Sequence, residues 1–193
     1  MKIHIGCGPV YLIGYVNIDC NPDFLIHNCP KEIIENNKTV LDKYYKYDFL
    51  FSLNKNFLTV ADLNHDIQYP LPFQDNSVEE IVIYQVVEHF QQYNVGKLLQ
   101  NMNRILITGG KILISVPDTK GLAKLLIDSN TEDLENLAIR YLYGTQKNIW
   151  SHHYCGYTNN SLKKLLGEYN FGNFKELSNI NAYPTIHLEA IKL

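Results

Sequence analysis

Apolar positions fall into short runs divided by glycine, proline and polar turns, and their period switches repeatedly between two and about three and a half. Lys2-Ile3-His4-Ile5 alternates and gives way at once to Gly6-Cys7-Gly8-Pro9, which predicts a buried strand entering a tight turn. Gly14 to Asp19 is a second strand-like run, and the thirteen positions from Gly6 to Asp19 leave little room for a helix between the two. Asn56 to Asp62 predicts a third strand. Glu79 to Tyr84 predicts a fourth, apolar enough to be covered on both faces. Val95, Leu98, Leu99, Met102, Ile105 and Leu106 recur at three-and-four spacing, an amphipathic helix stopped by Thr108-Gly109-Gly110, and Lys111 to Val116 follows as a fifth strand. Residues 119–150 read as a helical excursion, with Leu122, Leu125, Leu126, Leu134, Leu137, Ala138, Tyr141 and Leu142 at helical spacings. Thr158 is placed to cap a helix from Ser161 to Tyr169. Residues 173–177 and 185–193 then alternate as an antiparallel hairpin at the sheet's edge, where His187 faces solvent or packs. Strands alternating with helices predict an α/β, Rossmann-like doubly wound sheet, mostly parallel, with a C-terminal antiparallel hairpin and helices on both faces.

In such a sheet the ligand crevice lies beyond the carboxyl ends of the strands. Gly6 and Gly8 fit that place, because a turn that must let a ligand lie against the main chain has no space for a Cβ. Asp19, at the end of the second run, is suited to accept hydrogen bonds from ribose hydroxyls. A dinucleotide fingerprint asks for a third glycine, a full helix and an acid about 20 residues on. The GxGP turn and shorter interval here disfavour NAD and FAD, so a nucleoside without phosphates fits better.

Ile5-Gly6-Cys7-Gly8 with Val16-Asn17-Ile18-Asp19 resembles the first two motifs of class I S-adenosylmethionine (SAM)-dependent methyltransferases, in a compact, type-11-like branch. Asp66 to Val78, containing Leu71-Pro72-Phe73, is similar to that family's next segment. Val86-Val87-Glu88-His89-Phe90 resembles another, and Asn103-Arg104-Ile105-Leu106 with Gly109 to Pro117 resembles a further one, with Thr108 where the family usually has proline. Tyr143-Gly144-Thr145-Gln146 and the histidines before Gly156-Tyr157-Thr158 resemble a later segment. The resemblance implies a SAM-dependent methyltransferase that forms S-adenosylhomocysteine. It implies cofactor contacts from Gly6, Cys7, Gly8, Asp19 and Gln85, with Asp66 on the adenine amino group and the Ile67 N–H towards the ring. Asp62 competes with Asp66, and each aspartate also suits a turn that bonds its own backbone.

Tyr84, Gln85, Val86, Glu88 and His89 come nearest the transferred methyl. His89 and His153 are the candidate catalytic residues, since an imidazole titrates near neutrality and can take a proton from an oxygen or nitrogen acceptor. A positioning role for His89 and a loop-holding role for His153 stand beside that reading. The acceptor expected is a small molecule, a carbohydrate or a lipid precursor. The alternatives are a SAM- or nucleoside-binding protein without transfer activity and a nicotinamide-dependent oxidoreductase, the latter disfavoured by the missing glycine.

Composition narrows the partners. With 193 residues, 46% of them hydrophobic, the chain is expected to form one domain over residues 1–193, with a substrate excursion at about 119–158. A net charge of −3 excludes a general basic field for nucleic acid, and no apolar run reaches membrane-spanning length. A cytoplasmic protein is expected. Cys7, Cys20, Cys29 and Cys155 show no metal-ligand spacing, so no metal is expected, and Cys7 and Cys20 read as small buried hydrophobes. Residues 20–56 carry a helix opening near Pro30 and an aromatic cluster of Tyr44, Tyr45, Tyr47, Phe49 and Phe51, read as packing on the sheet ahead of stacking on adenine. Oligomeric state and acceptor atom are not encoded legibly.

Overall fold

A computed structural model describes residues 1–44, 58–178, 181 and 183–193. The central sheet has seven strands: β1 (Lys2–Ile5), β2 (Val16–Asp19), β3 (Leu63–Asn64), β4 (Val78–Tyr84), β5 (Leu106–Pro117), β6 (Phe171–Glu176) and β7 (Thr185–Lys192). Their spatial order is β6-β7-β5-β4-β1-β2-β3. Strands β1 to β5 are mutually parallel, whereas β7 is antiparallel to both of its neighbours. This is the doubly wound order with one strand of the final hairpin inserted antiparallel.

One face is apolar. In register across the sheet, Ile3, Ile81 and Ile112 align, as do Ile5, Ile83 and Ile114, and β7 adds Ile186, Leu188 and Ala190. Helix α2 (Gln92–Ile105; α1 spans Lys31–Asn37) buries Val95, Leu98, Leu99, Met102 and Ile105 in the same core, to which α5 (Asn159–Glu168) adds Leu162 and Leu166. Each such side chain contributes about 1.5–3 kcal/mol by leaving water. Between β5 and α5 lie α3 (Thr119–Asp128) and α4 (Glu132–Tyr143), which pack on each other.

The opposite face is also buried but mixed, carrying the polar His4, Asn17, Glu80, Ser115 and His187 among Val82, Tyr84 and Leu113. The ten residues Gly6 to Tyr15 that join β1 to β2 contain no helix. Asn17 holds them instead. Its Oδ1 accepts from the Leu12 N–H at 2.8 Å and from His4 Nδ1 at 2.9 Å, while its amide donates to the carbonyls of Leu12 and Tyr15 and to Asp62.

Three sequence expectations are corrected and one open alternative is resolved. The expected third strand is split: Val60–Ala61 pairs with Phe24–Leu25, and the sheet continues with Leu63–Asn64. Between them the Asp62 carboxylate accepts from the Asn17 N–H at 2.7 Å and from Tyr11 Oη at 2.9 Å, interrupting the ladder. Helix α2 stops at Ile105, ahead of the glycine pair, because the N–H groups of Asn76 and Ser77 take up the carbonyls of Arg104 and Ile105; Gly109 and Gly110 lie inside β5. Of the two places open to His187, the structure has it packed: its Nδ1 donates to the Ser178 carbonyl and its Nε2 accepts from Tyr84 Oη at 2.7 Å. Cys20 is only partly buried and lines a cavity, unlike the buried Cys7. Of the aromatic cluster, Tyr44 is buried against His4 and Tyr84; Tyr45, Tyr47, Phe49 and Phe51 lie outside the described residues.

Candidate active site

Beyond the carboxyl ends of β1, β2 and β4 a cavity of about 270 Å³ is lined by Gly6, Gly8, Asp19, Cys20, His65, Asp66, Ile67, Gln85, Val86, His89, Phe90 and Trp150. The turn after β1 builds its floor. Gly6 has φ +64° and a Cβ there would lie 2.4 Å from Val86 Cγ2, whereas Gly8, at φ +48°, has open space where a Cβ would project. The first glycine is needed by the protein and the second leaves room for a ligand. The Cys7 N–H bonds the Ile18 carbonyl at 3.0 Å, and Asp19 accepts from the Gly8 N–H at 2.9 Å, so the turn and the acid are fixed to each other. Asp66 accepts from the Gln68 N–H at 2.9 Å and faces the cavity with Ile67, while Asp62 is engaged behind β2 by Tyr11 and Asn17.

Gln85, immediately after β4, is held at φ +57°, an unfavourable conformation for a residue with a side chain and one that clusters at functional sites. Its backbone N–H and side-chain Nε2 donate to the Ser115 carbonyl and hydroxyl, and its Oε1 accepts from Tyr183 Oη at 2.8 Å. This anchoring puts Gln85 in the wall between the first cavity and a second of about 300 Å³. The second is lined by Gln85, Glu88, His89, Arg140, Tyr141, Gly144, Thr145, Trp150, Ser151, His153 and Tyr183. Gln85, His89 and Trp150 belong to both cavities.

Two distant segments meet in the second cavity. The Glu88 carbonyl accepts from the N–H groups of Tyr154 and Cys155, and His89 Nδ1 donates to the His152 carbonyl at 2.9 Å. His153 donates its backbone N–H to the Tyr143 carbonyl and its Nδ1 to the Tyr141 carbonyl at 2.8 Å. The His89 and His153 rings then stand edge to face with centroids 4.7 Å apart. Burial lowers the pKa of His89 against the raising effect of the His152 and Gln85 carbonyls; burial, then the nearby His89, brings His153 down to about 4. Both are neutral near pH 7, with a lone pair to offer. Burial pushes the Glu88 carboxyl up to about 8. Tyr84 lies apart from this group, on the mixed face with His187.

The chain matches the family described as Methyltransferase domain over residues 3–114, more than half its length. It belongs to this family. The chain is a SAM-dependent methyltransferase, and SAM is its methyl donor. Solved structures agree in fold. The SAM-dependent methyltransferase from Thermotoga maritima described as a possible histamine N-methyltransferase aligns with TM-score 0.54 and 13% identity, covering 100% of this chain and 82% of that one. A SAM-dependent methyltransferase from Archaeoglobus fulgidus gives 0.53 and 14%, over 99% and 85%. One from Methanosarcina mazei gives 0.51 and 17%, over 98% and 89%. No curated protein matches the sequence.

The first cavity of the methyltransferase fits such a donor chemically: a turn without Cβ atoms, two carboxylates suited to hydroxyl and amino donors, and apolar walls from Ile67 and Phe90. All the residues singled out in the sequence as cofactor contacts line this cavity except Cys7, whose thiol is buried behind the turn and donates to the Val60 carbonyl. Sequence reasoning missed His65 and Tyr183, and placed Arg140 and Tyr141 only within the substrate excursion. His65 and Tyr183 carry no local signal, because their place depends on chain segments far away in sequence.

Proposed function

We propose that the methyltransferase acts on a hydroxyl-bearing small molecule, such as a carbohydrate or lipid precursor, seated in the second cavity. One observation carries this reading: the two cavities share Gln85, His89 and Trp150, so donor and acceptor pockets adjoin at those residues. SAM supplies a methyl already activated on a sulfonium. In this reading the Gly6-Cys7-Gly8 turn supports the donor, Asp19 accepts from its ribose, and Asp66 and the Ile67 N–H take the adenine. Gln85 divides the pockets. His89 and His153 activate the acceptor's nucleophilic atom with their lone pairs, and α3, α4 and residues 144–158 form the substrate excursion. The polar groups in a mixed lining, among them the exposed Arg140 and the two histidines, favour an acceptor with polar groups over a purely apolar one. Holding donor and acceptor in line contributes up to roughly 7–11 kcal/mol in favourable cases. The net charge of −3 speaks against nucleic acid as acceptor. No helix among the described residues is long and apolar enough to cross a membrane. The four free cysteines support a cytoplasmic setting.

The test is titration calorimetry with SAM and S-adenosylhomocysteine, followed by transfer of labelled methyl to a panel of hydroxylated small molecules. Micromolar binding of both, and transfer that His153→Ala reduces about 10²–10⁴-fold while SAM affinity stays normal, is the expected result. Normal turnover in that variant would remove the histidine from the chemistry.

A further inference from the structure

The polar cluster in the acceptor cavity contains one group whose surroundings are incomplete. Glu88 is 1% exposed, yet neither carboxylate oxygen has a hydrogen-bond partner among the described residues. Buried carboxylates are normally paired or hydrogen-bonded, since a bare one is costly. The imidazoles of His89 and His153 stand beside it, and the buried Tyr157 phenol lies within its electrostatic reach. Glu88, His89 and His153 each offer a ligating atom, and these three atoms lie within 4.8 Å of one another.

The histidines are set in a particular way. Nδ1 of His89 is on the His152 carbonyl and Nδ1 of His153 is on the Tyr141 carbonyl. A carbonyl only accepts, so each Nδ1 carries the hydrogen and each Nε2 the lone pair. Histidines that ligate metals are anchored in this manner, their second nitrogen donating to a carbonyl or carboxylate that fixes tautomer and ring orientation. We infer that Glu88, His89 and His153 bind a divalent first-row transition-metal ion.

The donor set selects the ion class. Two imidazole nitrogens and one carboxylate suit zinc, cobalt, iron or manganese, whereas magnesium and calcium favour oxygen alone. Bonds of about 2.0–2.2 Å put tetrahedral ligands roughly 3.4 Å apart, so the cluster closes around an ion by a modest contraction. Three protein ligands leave a coordination position open, as in catalytic zinc sites. All three residues line the acceptor cavity, with the Glu88 carboxylate the most deeply buried of the three groups. The inference rests on the reading of this cavity as the acceptor site and replaces direct proton transfer to imidazole as its means of activation: with both lone pairs on the ion, His89 and His153 act through the metal. A hydroxyl at the open position has its pKa lowered, releases its proton to solvent and keeps the electron pair as the nucleophile.

The test uses the full chain, stripped with chelator and titrated with Co²⁺ and then Zn²⁺. The expected result is one equivalent of Co²⁺ with the intense visible absorption of a tetrahedral site, displaced by Zn²⁺. In His153→Gln and Glu88→Gln affinity should fall by about 10-fold or more. Normal SAM binding in each variant establishes that it is folded. Absence of stoichiometric Co²⁺ binding to the wild type, or equal binding by wild type and both folded variants, overturns the site. Methyl transfer is measured in parallel. Full transfer by stripped protein overturns the activating role. Metal binding that depends on these residues, in a protein inactive on every hydroxylated acceptor, supports the site while rejecting the acceptor reading.

Discussion

Gly6 and Gly8 stand two residues apart in one turn and serve opposite needs. At Gly6 the left-handed backbone and the Val86 side chain both exclude a Cβ, so Gly6→Ala is expected to lower the free energy of unfolding by about 1–3 kcal/mol in urea titrations. At Gly8 the backbone is left-handed too, at φ +48°, so Gly8→Ala carries its own strain, but no protein atom stands where the methyl would go; the methyl meets the ligand, and calorimetry should show a SAM affinity reduced in the folded variant. Wild-type SAM affinity in Gly8→Ala would move the donor away from this side of the turn. Asp19→Ala is expected to weaken SAM binding by about 1.5–3 kcal/mol, roughly 10- to 150-fold, the usual worth of hydrogen bonds to a charged group. Unchanged affinity would take Asp19 out of the site. The glycines were legible because residue type alone implies their conformation. The choice between Asp62 and Asp66 was not, since the partner that engages Asp62, Tyr11, is 51 residues away.

At the scale of elements, the missing crossover helix was readable from the short interval between Gly6 and Asp19, but its replacement was not. Asn17 sits in a run that looks like any strand, and only the folded chain reveals that its side chain joins His4, Leu12, Tyr15 and Asp62. Asn17→Ala strands the Leu12 N–H and the His4 ring together, at roughly 1–3 kcal/mol for each buried group left without a partner. A loss of about 3 kcal/mol or more in chemical denaturation is therefore expected. A loss below 1 kcal/mol would mean that the connection is held by backbone packing alone. Helix periodicity located α2 well, whereas its end was misplaced because residues 76 and 77, not a glycine, take its last carbonyls. Thr158 was legible as a cap because capping is local: its hydroxyl and that of Ser161 exchange bonds with each other's backbone N–H.

For the whole molecule, the position of the site followed from strand order, since a doubly wound sheet opens at its carboxyl ends. The pairing of His89 with His153 did not, because it needs the docking of segments far apart in sequence, fixed by the bond from His89 Nδ1 to the His152 carbonyl 63 residues on. The same sheet has two chemically different faces, and this difference sets its response to acid. His4 on the mixed face is fully buried, donates to Asn17 and accepts from Tyr44 Oη at 2.7 Å, with Tyr84 packed edge-on against Tyr44. Burial, partly offset by the Asn17 bond, brings its pKa from 6.5 down to about 4. Between those values the unfolded chain binds a proton that the folded chain refuses, so stability present above pH 6.5 is lost as pH falls towards 4. The slope from this one group approaches 1.4 kcal/mol per pH unit and sums to roughly 3 kcal/mol. His187, lowered by burial on the same face, acts in the same direction. His4→Gln retains a donor for Asn17 and cannot titrate, so the dependence of unfolding free energy on pH between 4.5 and 6 should flatten by about one proton. An unchanged slope in the variant would show that His4 is protonated in the folded protein, with its Nε2 donating to the Tyr44 hydroxyl rather than accepting from it.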